Sequence, residues 1–346
     1  MEKKDRIYEL DLIRALACLM IISMHSPLPE EGENYGLFLS SISYLSAPGI
    51  GLFFMVSGAL LLPIMEPTSV FIKKRLIKIV IPTLIWTCFY LLIKLFYDGY
   101  QISLREILSI PFSPQGNSIF WFIYVLIGIY LIAPILSKWL EKASKREIEF
   151  YLLLWVITLC YPYLKLYLSI NETETGALYY YSGYLGYFLL GYYLRKYALQ
   201  INSLLMCALF ALALVVPVVL KTAQMKVDFY SMFWYLSLFV AIMSAGWFVL
   251  FMRKGNTSNI RMRALVTNFS KCSFGIYLVH IFIMRRILWH CTMVQSIESY
   301  ILQTIVIIVL TALFSWLVCY LICLLPIGQY LIGYSSKKNN KSYRSC

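Results

Sequence analysis

Charged residues are scarce in this chain. They make up 14% of its 346 residues, and acidic residues are the rarer sign, with 17 Asp and Glu against 30 Lys and Arg. A soluble domain carries about 25% charged residues. Hydrophobic residues reach 60% and the mean hydropathy is +0.73. The composition therefore excludes a soluble globular protein and indicates a protein that crosses a membrane several times.

Several chemical signatures are also missing. The nine cysteines form no CxxC pair and no Cys/His metal spacing, so we predict no metal site. No GxSxG motif or Cys–His pairing indicates a serine or cysteine nucleophile. The net charge of +13 comes from short clusters between apolar runs and not from one polar face, so we predict no nucleic-acid partner.

Apolar runs of about 17–25 residues, the length of a membrane-spanning helix, recur from end to end. They predict an all-α bundle of about ten transmembrane helices. We expect one domain over residues 1–336, followed by a basic cytoplasmic tail at 337–346. The predicted spans lie near residues 9–27, 44–64, 76–97, 119–136, 150–168, 178–194, 203–220, 229–251, 269–289 and 300–326.

The positions of the basic residues predict the orientation of these spans. Connections on one side of the predicted bundle, together with the two termini, hold 22 of the 30 Lys and Arg. The opposite connections have few cations and include the acidic segments EEGE (30–33) and NETET (171–175). By the positive-inside rule, both termini are predicted to lie in the cytoplasm.

The first apolar run, LDLIRALACLMIISMH, contains a cation and a titratable base. Eleven residues separate Arg14 from His25. At about 100° and 1.5 Å per residue, the two lie within roughly 20° on one helix face and about 16 Å apart. Ionisable groups within a membrane are costly and by default functional, so this face predicts an anion site at Arg14 and a catalytic base at His25. The structural alternatives are a snorkelling Arg14, or one neutralised by Asp11, and an interfacial His25.

A basic cluster opens the third predicted span. The segment KKRLIKIVIP (73–82) places four cations within six residues. Most such clusters only set the topology of a membrane protein. Four charges this close can also hold the phosphates of a cytosolic nucleotide-like cofactor. Lys74, Arg75 and Lys78 are therefore candidates for cofactor binding.

Two later segments supply candidate substrate-binding residues. Asn117 and Trp121 begin NSIFWFIYVLIGIYLIAPIL (117–136) and suit a sugar platform, although Trp121 also fits the aromatic belt of a membrane interface. In SFGIYLVHIF, Tyr277 lies one turn before His280 on the same helix face. This pair can bind substrate or relay protons, or it can be a hydrogen-bond pair between helices.

Two adjacent arginines, Arg285 and Arg286, lie in the outer half of the ninth predicted span. They can line a polar cavity for an anionic acceptor, and outer-leaflet lipid phosphates would serve them equally well. Lys94 lies within about one turn of the predicted outer end of the third span, where snorkelling explains it. The sequence leaves both interpretations of the arginine pair open.

Taken together, these segments resemble the membrane acyltransferase 3 family, the ten-span bacterial enzymes that acylate surface glycans. LDLIRALACLMIISMH is similar to the first-helix signature of that family, an Arg with a His eleven residues on. LFFMVSGALL, RLIKIVIP, FWFIYVLIGIYLIAPIL and SFGIYLVH resemble the blocks of its second, third, fourth and ninth helices. The resemblance covers essentially the whole chain in the expected order.

The resemblance implies that an acyl group, usually acetyl, moves from cytosolic acyl-CoA to a hydroxyl of a cell-surface or lipid-linked glycan at the bacterial cytoplasmic (inner) membrane. It implies that Arg14 and His25 are the essential pair, with the CoA phosphates near Arg14 and the 73–78 cluster. Acyl-CoA, the glycan and membrane lipids are the expected partners. One position departs from the family pattern, because Lys78 stands where an arginine is usual and keeps the charge without the bidentate fork.

Two other functions stay open at this point. Intramembrane Arg and His residues also mark proton-coupled secondary transporters, although carriers commonly show paired repeats, which this sequence lacks. The second alternative is a membrane acyltransferase that acts on a lipid headgroup, an antibiotic or a peptide amine. The sequence names neither the acceptor nor the acyl chain. It also leaves open whether His25 removes a proton or carries the acyl group transiently.

Overall fold

The computed structural model describes residues 6–28, 36–165, 167–197, 200, 202–222 and 232–336. Throughout this part of the chain the regular structure is helical and no strand occurs, which confirms the predicted all-α class. The tail predicted at 337–346 lies outside the described residues. The α-helices used below are α1 (Tyr8–His25), α2 (Gly36–Ser46), α3 (Pro48–Leu61), α4 (Thr68–Tyr97), α5 (Leu104–Ser109), α6 (Trp121–Leu140), α7 (Lys145–Leu159), α8 (Tyr161–Leu164), α9 (Leu185–Tyr197), α10 (Ser203–Thr222), α11 (Leu238–Lys254), α12 (Ile260–Phe282), α13 (Thr292–Gln295), α14 (Tyr300–Cys323) and α15 (Gly328–Ile332).

Among the described residues, six helical segments are long and apolar enough to cross a membrane. Each overlaps one predicted span, while the total of about ten spans stays a prediction. The orientation with both termini in the cytoplasm also stays a prediction. The six segments are Gly36–Leu61, Thr68–Tyr97, Ser118–Leu140, Ser203–Leu220, Ile260–His290 and Tyr300–Cys323.

The other four predicted spans correspond to helices that are charged or short. α1 has 18 residues and carries Glu9, Asp11 and Arg14. α7, α9 and α11 have 15, 13 and 17 residues. At 1.5 Å per residue these three reach about 20–26 Å, which is less than the roughly 30 Å hydrocarbon core of a bilayer. Part of the span predicted at 229–251 lies outside the described residues.

The chain folds into two compact units, each built from separated stretches of sequence. Unit 1 draws on the described residues of Met1–Pro63, Ser137–Ser270 and Met293–Ile308. Unit 2 draws on those of Ile64–Leu136, Lys271–Thr292 and Val309–Cys346. The single domain over residues 1–336 therefore stays a prediction, and each unit is described by itself.

Within unit 1, α3 and α9 pack with their backbones touching. A Cβ atom on Gly58 would lie 1.8 Å from the carbonyl oxygen of Phe188. A Cβ atom on Gly191 would lie 1.9 Å from that of Met55. Since no side chain fits at either position, these glycines allow the close approach of the two helices. α1 packs against α2, α3 and α11 in the same unit.

An aromatic core in unit 1 holds the segment that leads into α11. Tyr163 donates a hydrogen bond from its hydroxyl to the carbonyl oxygen of Met232, at 2.6 Å. Phe233 is 1% exposed and meets Tyr44 edge-on, with ring centroids 6.0 Å apart. The core therefore fixes the chain immediately before Trp234.

Within unit 2, α4 is held by hydrogen bonds from two of its aromatic residues. Trp86 donates from Nε1 to the carbonyl oxygen of Leu331, at the end of α15, over 2.9 Å. The hydroxyl of Tyr90 donates to the carbonyl oxygen of Leu278 in α12 over 3.0 Å. These bonds fix the rotation of α4 and so decide which of its side chains point toward α12.

Candidate functional site

α1 carries Arg14 and His25 on one unbroken helix. It runs from Tyr8 to His25 with no internal proline, so the eleven-residue separation keeps both side chains on one face, about 16 Å apart. Both residues are half-buried. Their neighbours Ile13 and Met24 are buried, at 0% and 9% exposure. The face with the two basic groups is therefore partly open while the flanking positions are packed.

A buried carboxylate lies near the start of the same helix. Asp11 is 4% exposed and accepts from Nη2 of Arg6 at 2.8 Å. Its other polar partners are on α12, where the hydroxyl of Ser270 donates over 2.8 Å and that of Thr267 over 3.4 Å. One structural alternative for Arg14 is neutralisation by Asp11. Since Asp11 already pairs with Arg6, Arg14 would have to share that carboxylate.

A cavity of about 360 Å³ lies in unit 1, within the size range of small-molecule sites. We call it the aromatic pocket, because five aromatic side chains line it, with three polar ones beside them. The aromatic residues are Tyr161, Tyr179, Tyr184, Trp234 and Tyr235. The polar residues are Thr158, Glu172 and Ser182.

One wall of the aromatic pocket is attached to the residue next to His25. The hydroxyl of Tyr235 donates to Sδ of Met24 over 2.9 Å. The backbone of Tyr235 is itself held, because the hydroxyl of the fully buried Tyr187 donates to its carbonyl oxygen over 2.6 Å. The pocket and the C-terminal end of α1 are therefore parts of one packed arrangement within unit 1.

Besides Arg14 on α1, the cations proposed for cofactor binding lie on α4 in unit 2. Lys74 forms a salt bridge with Glu66. The guanidinium of Arg75 lies 5.8 Å from the ring centroid of Phe71, and its Nε is buried without a hydrogen-bond acceptor among the described residues. Lys78 is exposed. Arg75 and Lys78 therefore retain more hydrogen-bonding capacity for an anion than Lys74 does.

The four candidate substrate residues also lie in unit 2. Asn117 caps a 3₁₀ turn by accepting from the N–H of Ile119 over 3.3 Å, and Tyr277 donates from its hydroxyl to the carbonyl oxygen of Ile119. His280 is fully buried, with Nδ1 2.8 Å from the carbonyl oxygen of Tyr277. Trp121 begins the next helix. The structure thus brings Asn117, Tyr277 and His280 together and gives Tyr277 the hydrogen bond between helices that was one of its two alternatives.

The comparison with family models covers nearly the whole chain. A model described as an acyltransferase domain, of the acyltransferase 3 type, matches residues 7–320. The chain belongs to the acyltransferase 3 family. This confirms the resemblance carried by the first-helix signature and the later blocks. Comparisons with curated proteins and with solved structures returned no match.

Membership of the acyltransferase 3 family implies a transferase that moves an acyl group. The six candidate membrane helices agree with an acyltransferase that lies in a membrane. Such a reaction needs a base for the acceptor and a cavity that holds the acceptor beside that base. His25 and the aromatic pocket both belong to unit 1, and Tyr235 of the pocket contacts Met24, the residue that precedes His25.

Sequence reasoning missed every residue of the aromatic pocket. All of them except Glu172 lie in the predicted spans 150–168, 178–194 and 229–251, where tyrosine and tryptophan count as apolar or interfacial residues. Glu172 lies in the acidic segment NETET (171–175), which the sequence assigns to a connection between spans. A signal was present in the density of aromatic residues in ALYYYSGY and FWY. Aromatic side chains with a polar tip are suited to a cavity that is apolar on its faces and wet at its edges.

Proposed function

We propose that this acyltransferase transfers an acetyl group from acetyl-CoA to a hydroxyl of a cell-surface or lipid-linked glycan, with His25 as the general base. The observation that carries the proposal is the hydrogen bond from Tyr235 to Met24, which attaches the aromatic pocket to the residue that precedes His25. An acceptor bound in this pocket presents its hydroxyl groups close to the end of α1. In the predicted orientation this end faces the outside of the cytoplasmic membrane of a bacterium.

The lining of the aromatic pocket favours a sugar as the acceptor. Ring faces of tyrosine and tryptophan accept the C–H faces of a pyranose, and Trp234 and Tyr235 form a tilted pair with centroids 4.5 Å apart. Thr158 and Ser182 supply hydroxyl groups for hydrogen bonds. The one charged residue of the lining, Glu172, pairs with Lys165 at 2.5 Å. A neutral polyhydroxyl ligand fits this combination better than an ion does.

The proposed reaction has balanced proton transfers. The acceptor hydroxyl gives its proton to the imidazole of His25 as its oxygen attacks the carbonyl carbon of the thioester. A tetrahedral oxyanion forms, which requires donors or positive charge in its vicinity. Its collapse breaks the C–S bond, and the imidazolium returns the proton to the leaving thiolate. The products are the O-acetyl ester and CoA with a free thiol.

The donor side of the proposal uses cations for the phosphates of CoA. Arg14 is the proposed cation on α1, and Lys74, Arg75 and Lys78 are the proposed cations on α4. The buried Nε of Arg75, which has no acceptor among the described residues, supports an anion there. Arginine presents a planar fork to a phosphate, whereas Lys78 offers a point charge. We therefore expect Arg75 to contribute more to the affinity for CoA than Lys78.

The test separates binding of the donor from the chemical step. The full-length protein is purified in a neutral detergent, and acetyl-CoA binding is measured beside release of the CoA thiol with methyl glucoside as a surrogate alcohol. His25→Asn should bind acetyl-CoA as the wild type does and lose at least about 100-fold in thiol release, the range expected for a general base. Arg14→Gln should weaken acetyl-CoA binding.

The third histidine supplies a matched control. His290→Asn changes an exposed histidine in a different unit and should leave both measurements unchanged. Full thiol release by His25→Asn would remove His25 from the role of base. A radiolabelled acetyl group recovered on His25 would instead make it an acyl carrier. Absence of acetyl-CoA binding to folded wild-type protein would overturn the donor assignment.

A further inference from the structure

A second cavity, of about 140 Å³, lies in unit 2 beside the ends of two candidate membrane helices. We call it the cationic pocket, after Lys94, Arg285 and Arg286 in its lining. Lys94 is among the last four residues of the segment Thr68–Tyr97, and both arginines are among the last six of Ile260–His290. A cavity at the ends of two such helices lies close to a membrane–water interface.

The cationic pocket has an excess of positive charge. Arg286 pairs with Asp98 at 2.5 Å. Within the part of the chain that the structure describes, neither Lys94 nor Arg285 has a carboxylate at salt-bridge distance. Three cations therefore line the cavity, with Asp98 paired to Arg286 and Glu106 near Lys94 through Tyr100. Like charges gathered in a concave site beside a low-dielectric medium attract an anion more strongly than the same charges dispersed in water.

Two of the cations in the cationic pocket, Lys94 and Arg285, are held in place without using up their N–H groups. The guanidinium of Arg285 lies over the ring of Trp289 and the ammonium of Lys94 over that of Tyr100, each 5.4 Å from the ring centroid. Contact with a ring face leaves the N–H edges of a guanidinium available. Asn117 is 9% exposed, and its Nδ2 lies near the hydroxyl of Tyr90 without meeting the geometry of a hydrogen bond to any described residue. Several donors therefore line one cavity without enough acceptors.

The backbone at the two arginines departs from the regular helix. Ile283–Ile287 forms a π-helical turn that continues α12. Successive residues of a regular α-helix point about 100° apart, which disfavours placing two neighbours in one cavity. Both arginines of this wider turn belong to the pocket lining, while Ile283 and Met284 on the same turn are buried. Such turns are rare and frequently occur at functional sites.

We propose that the cationic pocket binds a phosphate or diphosphate group presented at the membrane interface. Two guanidinium groups, an ammonium and an amide N–H match a group that has several acceptor oxygens and two or more charges. The cavity is smaller than the roughly 300 Å³ of a site for a whole small molecule. It therefore takes the anionic group and leaves the rest of the ligand outside. The proposal does not depend on the acyl transfer proposed above.

The experiment measures binding by the full-length protein in a neutral detergent, with no acyl donor present. The two probes, titrated separately at fixed ionic strength, are inorganic diphosphate and water-soluble dihexanoyl phosphatidylglycerol. We expect saturable binding of at least one probe, weakened tenfold or more in Arg285→Gln. Arg285→Lys keeps the charge without the fork and should lose less. Asn117→Asp keeps the oxygen that caps the turn, replaces the Nδ2 donor by a negative oxygen, and should weaken binding strongly.

A cation outside the cavity provides the control. Arg105 is exposed on α5 in the same unit, and Arg105→Gln removes one charge without touching the pocket lining. Stronger binding of diphosphate assigns the site to a diphosphate group, and stronger binding of the lipid assigns it to a phospholipid headgroup. An equal loss in Arg105→Gln and Arg285→Gln would reduce the effect to general surface charge and overturn the proposal. Failure of the folded wild type to bind either probe would overturn it as well.

Discussion

The aromatic pocket and the cationic pocket differ in size, in charge and in the kind of side chain that lines them. The aromatic pocket of unit 1 has about 360 Å³ and five aromatic residues, with Glu172 as its one charged residue. The cationic pocket of unit 2 has about 140 Å³ and three cations. Contacts between ring faces and C–H groups are individually weak, so a ligand held by them needs a broad surface. An anion held by charged donors needs only a few groups.

This difference predicts two ligands that can be studied separately. A neutral sugar depends on the area and shape of the aromatic pocket and responds little to salt. A phosphate group depends on charge, and its binding weakens as salt rises. Since each cavity is lined by residues of one unit alone, a substitution in one lining should change one binding activity and spare the other.

The largest effect is expected from Gly191→Ala, which should disrupt the helix packing that supports the aromatic pocket. The new Cβ would lie 1.9 Å from a backbone oxygen of α3, so α9 must move away. Tyr184, which lines the aromatic pocket just before α9, packs against Phe54 of α3 with centroids 5.1 Å apart. We expect a loss of stability of about 3 kcal/mol or more, measured as a lower midpoint of thermal unfolding in detergent, together with loss of acyl transfer.

Gly128→Ala is the matched control for this substitution. Gly128 is an exposed glycine of α6 in unit 2, and a Cβ there would meet nothing within 4 Å. Alanine favours a helix over glycine by up to about 1 kcal/mol, so this variant should be neutral or slightly more stable. Equal unfolding midpoints for Gly191→Ala and the wild type would contradict the close crossing of α3 and α9.

A smaller effect is expected from Trp234→Ala, which leaves the fold intact and empties part of the aromatic pocket. Loss of one stacking face should lower kcat/KM for the surrogate glucoside about tenfold, or about 1.4 kcal/mol. Binding of acetyl-CoA and of diphosphate should not change. Trp139→Ala is the control, because Trp139 is a half-buried tryptophan of unit 1 outside the pocket lining. A tenfold loss of kcat/KM in both variants would contradict binding of the sugar in this pocket.

Long apolar runs made six membrane helices predictable, whereas the same averaging misplaced helix ends where the runs are broken. Spans were predicted at 150–168 and 178–194, but α7 ends at Leu159 and α9 begins at Leu185. Tyrosine and leucine between these helices count as membrane residues in a hydropathy average, although three of the tyrosines line a cavity. A hydropathy window records the average over a segment and not where its helix ends.

The pairing of Arg14 with His25 was predictable because helical geometry converts a spacing in sequence into a position on a face. The aromatic pocket was not, because its lining comes from stretches near Tyr161, Tyr184 and Trp234 that only tertiary packing brings together. The cationic pocket was predictable in part. The adjacent arginines indicated an anion site, but their grouping with Asn117 depends on the packing of α4 and α12.

The smallest effect is expected from Asp98→Asn, which sharpens the charge difference between the pockets. Asp98 and Arg286 form their ion pair with side chains 36% and 41% exposed, so solvent screens the interaction. Removal of the carboxylate releases Arg286 and takes one negative charge from the edge of the cationic pocket. We expect about threefold tighter binding of sulfate, which stays doubly charged over the accessible pH range. Isothermal titration at low salt measures this change.

The pH dependence of the same binding tests the role of Asp98 independently. The hydrogen bond from Arg286 holds the pKa of Asp98 below its usual range, and the charge of Lys94 adds to this effect. The ion pair therefore stabilises the folded state above the unfolded pKa of the carboxyl, and this contribution is lost only as pH falls through the lower folded pKa. Sulfate affinity of the wild type should rise there as Arg286 is released, and Asp98→Asn should show no such rise. The pKa of Glu106 is also lowered, by its hydrogen bond from Tyr100, but this carboxyl is present in both the wild type and Asp98→Asn. An equal rise of sulfate affinity in the two proteins would therefore assign the pH dependence to a group other than Asp98.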